Sequence, residues 1–161
     1  MLVVEDAVKL FGLSPQDPSV DAYLTMLGID ERPRFKEDPE EWLSEVEGGY
    51  ILKFRAKHGY ERLYGETNAV GDMVFSGIRL HGPQNINGFK AYVGKLPFGV
   101  HFEQGPDFLR EILGRPSFED DTGARDRVLL WNNIEELHIG VVLTADESKF
   151  CYIDISKAKI K

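Results

Sequence analysis

Strict alternation of apolar and polar residues restricts this chain more than any other feature. Leu137, Ile139, Val141 and Leu143 recur at every second position, which is the period of a strand with one dry face. The stretch from Tyr50 to Lys57 does the same. Leu52, Phe54 and Ala56 fall on one side, and Lys53, Arg55 and Lys57 on the other, which is therefore wet. Met73 to Leu80 adds Val74, Ile78 and Leu80, and Trp42, Ser44 and Val46 alternate ahead of a Gly48-Gly49 turn. Arg127 to Trp131 and Phe150 to Ile155 supply two further strands, the last entered through the turn Asp146-Glu147-Ser148. Strands of this kind pair antiparallel and need a cover on their dry side only.

The cover is written in three short helices. Val3, Val4, Ala7, Val8 and Phe11 share a helical face that stops at Gly12. Asp17 caps a second helix, with Pro18 in its first turn, the stripe Val20, Tyr23, Leu24 and Leu27, and Gly28 at its end. Gly105-Pro106 opens a third, with Phe108, Leu109, Ile112 and Leu113 inside and Gly114 closing it. His58-Gly59 reads as a turn, and His81 to Gly88 as a polar loop.

The second half echoes the first. Leu27-Gly28 aligns with Leu113-Gly114, Pro33-x-Phe35 with Pro116-x-Phe118, and Trp42 with Trp131. The expected fold class is α+β: a tandem repeat of helices packed on one face of a curved antiparallel sheet. It forms a single domain over 1–161, divisible into structural repeats 1–87 and 88–161. A chain of 161 residues can bury a core large enough to fold without staples.

Composition removes several classes of function. The formal net charge is −8, which argues against nucleic acid and against anionic membrane as partners. One cysteine, Cys151, excludes an internal disulfide and any CxxC metal site. The start, Met1-Leu2-Val3-Val4-Glu5-Asp6, has no positive segment ahead of an apolar run, so a cytoplasmic location is expected. Chemistry is not announced either. His101-x-Glu103 and Glu136-x-His138 each offer two ligands on one strand face, one fewer than a catalytic zinc site needs. Gly94 to Gly99 lacks the spacing of a phosphate loop, and Pro97 removes an amide from it. The sequence contains no GxSxG elbow, Cys151 reads as a packed strand residue, and His138 falls on a polar face. No metal and no cofactor are expected.

The charges are unevenly spread. Asp30 to Glu47 holds eight acids against three bases, and Glu103 to Asp126 holds seven against three. Acidic loops are commonly just solvated. They also steer a cationic partner. Glu37, Asp38, Glu40 and Glu41 beside Trp42, and Glu119, Asp120 and Asp121 ahead of Trp131, are the candidate partner-binding residues. An aromatic within a charged rim concentrates binding energy, although a tryptophan in an alternating strand also suits the core.

Several segments resemble a bacterial family of immunity-type proteins found beside polymorphic and type VI secreted toxins. Asp17-Pro18-x-Val20, Leu27-Gly28 and Pro33-Arg34-Phe35 are similar to its opening. Gly88-Phe89-x-x-Tyr92-x-Gly94-x-Leu96-Pro97-Phe98-Gly99-Val100 resembles its GFxxYxGxLPFGL signature. Leu113-Gly114-Arg115-Pro116, Asp126-Arg127 and Leu137-His138 fall where it has LGxP, DR and LH. Glu119-Asp120-Asp121 departs from the Gly/Ser-rich stretch usual there. The helix-plus-LGxP element is also similar to the tandem repeats of β-lactamase inhibitor proteins and of outer-membrane assembly lipoproteins. The resemblance implies a non-enzymatic protein of bacterial competition that occludes the active site of a cognate toxin, for which the charge favours a basic nuclease domain. A tandem-repeat assembly module, or a small hydrolase built on His138 or His101, are the alternatives.

Overall fold

The computed structural model describes residues 1–84, 88–120, 126–146 and 149–160. Among these residues seven strands form one open sheet, every neighbouring pair antiparallel: β1 (Glu40–Glu45), β2 (Tyr50–Ala56), β3 (Met73–His81), β4 (Phe118–Asp120), β5 (Arg127–Ile134), β6 (Leu137–Leu143) and β7 (Phe150–Lys157). Their order across the sheet is β1-β2-β3-β7-β6-β5-β4. The class is α+β, and each strand read from alternation is present.

The alternating residues build the core as their period demands. Leu52 and Phe54, Met73, Phe75, Ile78 and Leu80, Leu129 and Trp131, Ile139, Val141 and Leu143, and Ile153 and Ile155 all point to one face. Helices α1 (Val4–Val8), α2 (Pro18–Met26) and α4 (Pro106–Leu113) cover that face through Val4 and Ala7, Val20, Tyr23 and Leu24, and Leu109 and Leu113. Asp17 caps α2 as expected, its Oδ1 accepting from the Ser19 amide at 2.9 Å. Tyr92 seals the sequence start, donating its hydroxyl to the Leu2 carbonyl at 2.7 Å. β3 carries one extra residue at Ser76, because Phe75 pairs with Phe54 while Gly77 pairs with Lys53. This bulge lets Phe75 and Ile78 both point inward despite being three apart.

Three expectations are corrected. His58-Gly59 is not a turn but the first turn of a helix, α3 (Lys57–Tyr64). Tyr60 and Tyr64 share a face four residues apart and pack around Val74 and Ala69, which repays the poor helix propensity of Gly59. Val74 alternates with Met73 and Phe75, so α3 lies on the opposite face from the other helices, and not all helices share one side. Second, the acids Glu40, Glu41, Glu119 and Asp120 are not in loops. They belong to β1 and β4, the two edge strands, where outward charge costs the backbone pairing nothing.

The third concerns Trp131. It is 1% exposed and donates its indole N–H to the Gly114 carbonyl at 2.8 Å. Facing Ile139 across the β5–β6 pair, it is a core residue and not part of the surface. Trp42 points to the opposite face, so the two tryptophans are not counterparts. Trp131→Ala is expected to cost about 3–5 kcal/mol in chemical denaturation, by leaving a cavity and an unpaired carbonyl. Trp131→Phe should recover most of the packing but not the hydrogen bond.

Candidate functional site

The face opposite the three covering helices is polar at its centre. Strand period places Glu40 and Trp42 on it from β1, Lys53 and Arg55 from β2, and Ser76 and Arg79 from β3. Asp154 and Ser156 follow from β7, and His138 and Gly140 from β6. Arg79 stands opposite Asp154 in the β3–β7 register and grips its carboxylate with two bonds, Nε to Oδ1 at 2.8 Å and Nη2 to Oδ2 at 3.0 Å. The Lys53 ammonium reaches the same Oδ2 at 3.2 Å. One carboxylate therefore serves two cations, whose side chains are 15% and 17% exposed. Burial lowers the Lys53 pKa, and the pull of Asp154 only partly offsets it. Burial also works against charge on Arg79, but there the hydrogen bonds and charge of Asp154 win and the pKa is raised.

Aromatic rings roof these cations. Lys53 Nζ sits 4.7 Å from the centroid of Trp42, and the Arg79 guanidinium carbon 5.0 Å from it. That guanidinium is also 3.8 Å above the Tyr152 ring. Cation–π attraction thus holds Trp42 in place although it remains 43% exposed, with its indole N–H donated to Glu40 Oε2 at 3.3 Å. Arg55 pairs with Glu40 at 2.9 Å.

Beside this cluster lies a hollow of about 370 Å³, whose floor includes Gly77, Gly140, Ser76 and Ser156. Small residues on three adjacent strands create it. A methyl group at Gly77 would meet the Ile155 carbonyl at 2.8 Å, and one at Gly140 would meet Leu130 at 3.1 Å. Tyr64 of α3 and Lys159 form the far wall. Lys159 is held there by the Asn132 side chain, which copies a strand: Lys159 N–H donates to Oδ1 at 2.9 Å, and Nδ2 donates to the Lys159 carbonyl at 3.0 Å. With Oδ1 accepting, the Nδ1 of His138, 3.1 Å away, is the donor of that pair. Burial, followed by the nearby Lys159 charge, lowers the His138 pKa and so favours the neutral imidazole.

His81 closes the other end of the face. It is fully buried, stacks on Phe89 at 4.0 Å, and among the described residues has no hydrogen-bond partner for either ring nitrogen. Burial, reinforced by Arg79, pulls its pKa from 6.5 to about 4. An unfolded chain then binds the proton more readily between those two values. Stability is full above about pH 6.5, drains as pH falls, and stops draining on this account near pH 4.

The candidates from sequence separate into two rims. Glu37, Asp38, Glu40 and Glu41 stand at the β1 edge with Trp42, and Glu119 and Asp120 at the β4 edge. Seven strands at roughly 4.8 Å spacing put these edges about 29 Å apart. Glu119 is occupied by Arg110 and Arg127. Asp121 lies outside the described residues. Sequence reading did not assemble the Lys53–Arg79–Asp154 cluster. Its one visible sign was the wet set Lys53, Arg55 and Lys57, since Arg79 and Asp154 meet across 75 positions of chain.

Neither His101-x-Glu103 nor Glu136-x-His138 gains a third ligand, and no group of three potential metal ligands occurs among the described residues. The Cys151 thiol has its pKa raised, by burial and then by Asp126. No helix among the described residues is long and apolar enough to cross a membrane.

No protein-family model matches the chain, and no curated protein matches it. A solved structure similar to it is a DUF4309 family protein, YjgB, from Bacillus subtilis subsp. subtilis str. 168. The two are 14% identical, with a TM-score of 0.45 over 95% of this chain and 91% of the other. A likeness of that degree says nothing about function.

Two outcomes are expected. Asp154→Asn should cost about 2 kcal/mol in urea denaturation, because Lys53 and Arg79 then face each other half-buried without their counter-charge. His81→Leu removes the acid-sensitive group. The melting temperature of the variant relative to the parent should rise as pH falls from 6.5 towards 4, and be flat above 7.

Proposed function

We propose that this chain is a non-enzymatic immunity-type protein that neutralises a cognate secreted toxin by covering its active site, with the open sheet face and its acidic rims as the contact. The observation that carries the reading is Trp42. A large aromatic, half-exposed yet fixed over Lys53 and Arg79, is a pre-organised anchor, and little ordering entropy is lost when a partner closes on it. The β1 rim around it holds Glu37, Asp38 and Glu41, which suits a cationic approach surface such as a basic nuclease domain. A partner of ordinary interface size, about 800 Å² per side, spans the distance from one rim to the other.

The same proposal reads the sheet as two helix-and-sheet repeats, 1–87 and 88–161, arranged as in β-lactamase inhibitor proteins. In its favour, α2 precedes β1 to β3 and α4 precedes β4 to β7, and the last strand of each half meets the other at the sheet centre. The site of action would be the cytoplasm of the producing cell.

The test is co-expression with the small basic domain encoded at the end of a neighbouring large reading frame. Protection of growth and a stable complex are expected. Trp42→Ala should weaken binding at least tenfold, an effect on the order of 1.4 kcal/mol or more, and leave the melting temperature nearly unchanged. Reversing Glu37, Asp38 and Glu41 to Lys should slow association at low salt more than Glu119→Lys does, because Glu119 is already neutralised by two arginines. Absence of protection, or full affinity with Trp42→Ala, would sink the proposal.

A further inference from the structure

We propose that the hollow at the centre of the open face is a binding site for a small organic acid, its carboxylate taken by Lys53 and Lys159 and its apolar body laid against Trp42, Tyr64 and Leu130.

Charge counting gives the sign of the ligand. Among the described residues, four cations surround the hollow: Lys53, Arg55 and Lys159 in its wall, and Arg79 behind Asp154. Two described carboxylates face them, Glu40 and Asp154. Glu40 is committed to Arg55, and Asp154 is shared between Lys53 and Arg79. Lys159 forms no ion pair among the described residues, and one further positive charge in the Lys53–Arg79 pair has no counter-charge of its own. This excess sits on a molecule of net charge −8, so it is local and not a general property of the surface. Lys53 is also held where burial opposes its charge, and a second carboxylate would relieve that cost.

Shape gives the size and the body of the ligand. A volume of about 370 Å³ is at the small end of ligand sites. The absence of side chains at Gly77 and Gly140, each closely approached by Ile155 or Leu130 of a neighbouring strand, leaves the floor low. The wall is mixed: Trp42, Tyr64 and Leu130 supply apolar surface, while Ser76 and Ser156 commit their hydroxyl protons to the Lys53 and Lys157 carbonyls. Few neutral donors remain for the several oxygens of a phosphate, whereas two ammonium groups suffice for one carboxylate. The site needs no macromolecular partner, so it goes beyond the toxin-binding reading and survives that reading's failure.

The experiment is an NMR titration of the ¹⁵N-labelled protein with phenylacetate, acetate and inorganic phosphate, each at constant ionic strength. Phenylacetate should give saturable shifts at the Trp42 indole N–H and at the Gly77 and Gly140 amides, with acetate at least fivefold weaker. Lys159→Gln should weaken phenylacetate at least fivefold with an unchanged melting temperature, and Lys53→Gln should do the same if its spectrum remains folded. Shifts that rise linearly without saturating, or that are equal in the parent and Lys159→Gln, would overturn the proposal. Phosphate binding as tightly as phenylacetate would overturn the assignment to organic acids.

Discussion

The pairing of β3 with β7 is the contact on which the rest of the molecule depends. It runs from Gly77–Ser156 to His81–Tyr152 and ties the middle of the chain to its last strand. Without it the sheet would be two separate pieces, β1-β2-β3 and β7-β6-β5-β4, each with half of a dry face to cover. On the dry side Ile78 and Ile155 face each other across it. On the wet side the Arg79–Asp154 fork does. One register therefore places both the centre of the core and the centre of the polar cluster, and a slip of one residue would exchange them.

Much of this was legible from period alone. Strands as strictly alternating as Leu137 to Leu143 leave little choice, and Asp17-Pro18 and Gly105-Pro106 mark helix starts by their chemistry. What was not legible is long-range. The helical character of Lys57–Tyr64 depends on Val74, which Tyr60 covers from another element. The fate of each tryptophan turned on which way its strand faces, and a single residue of register decides that. Nothing near Trp131 in sequence announces Gly114 as its acceptor. The Lys53–Arg79–Asp154 cluster combines three strands, and no local pattern encodes such a meeting.

The placement of the acids has a structural meaning that stands beside the functional one. An open sheet exposes two rows of unpaired backbone groups, each a template for another strand. Here the outermost strands read Glu40-Glu41-Trp42-Leu43-Ser44-Glu45 and Phe118-Glu119-Asp120. Two copies of the molecule meeting edge to edge would bring these carboxylates together. Glu40 and Glu119 spend their charge on arginines, so the repulsion of a sister sheet falls mainly to Glu41 and Glu45 at the β1 edge.

The contrast between the two tryptophans gives the protein a built-in optical gauge. One indole is sealed in hydrocarbon, and its emission should be insensitive to events outside. The other rests against an ammonium and a guanidinium on an open surface, an environment that any occupant of the face must alter. A change in fluorescence colour or quenching on mixing would therefore report on that face specifically, with the interior chromophore serving as an internal reference in the same spectrum.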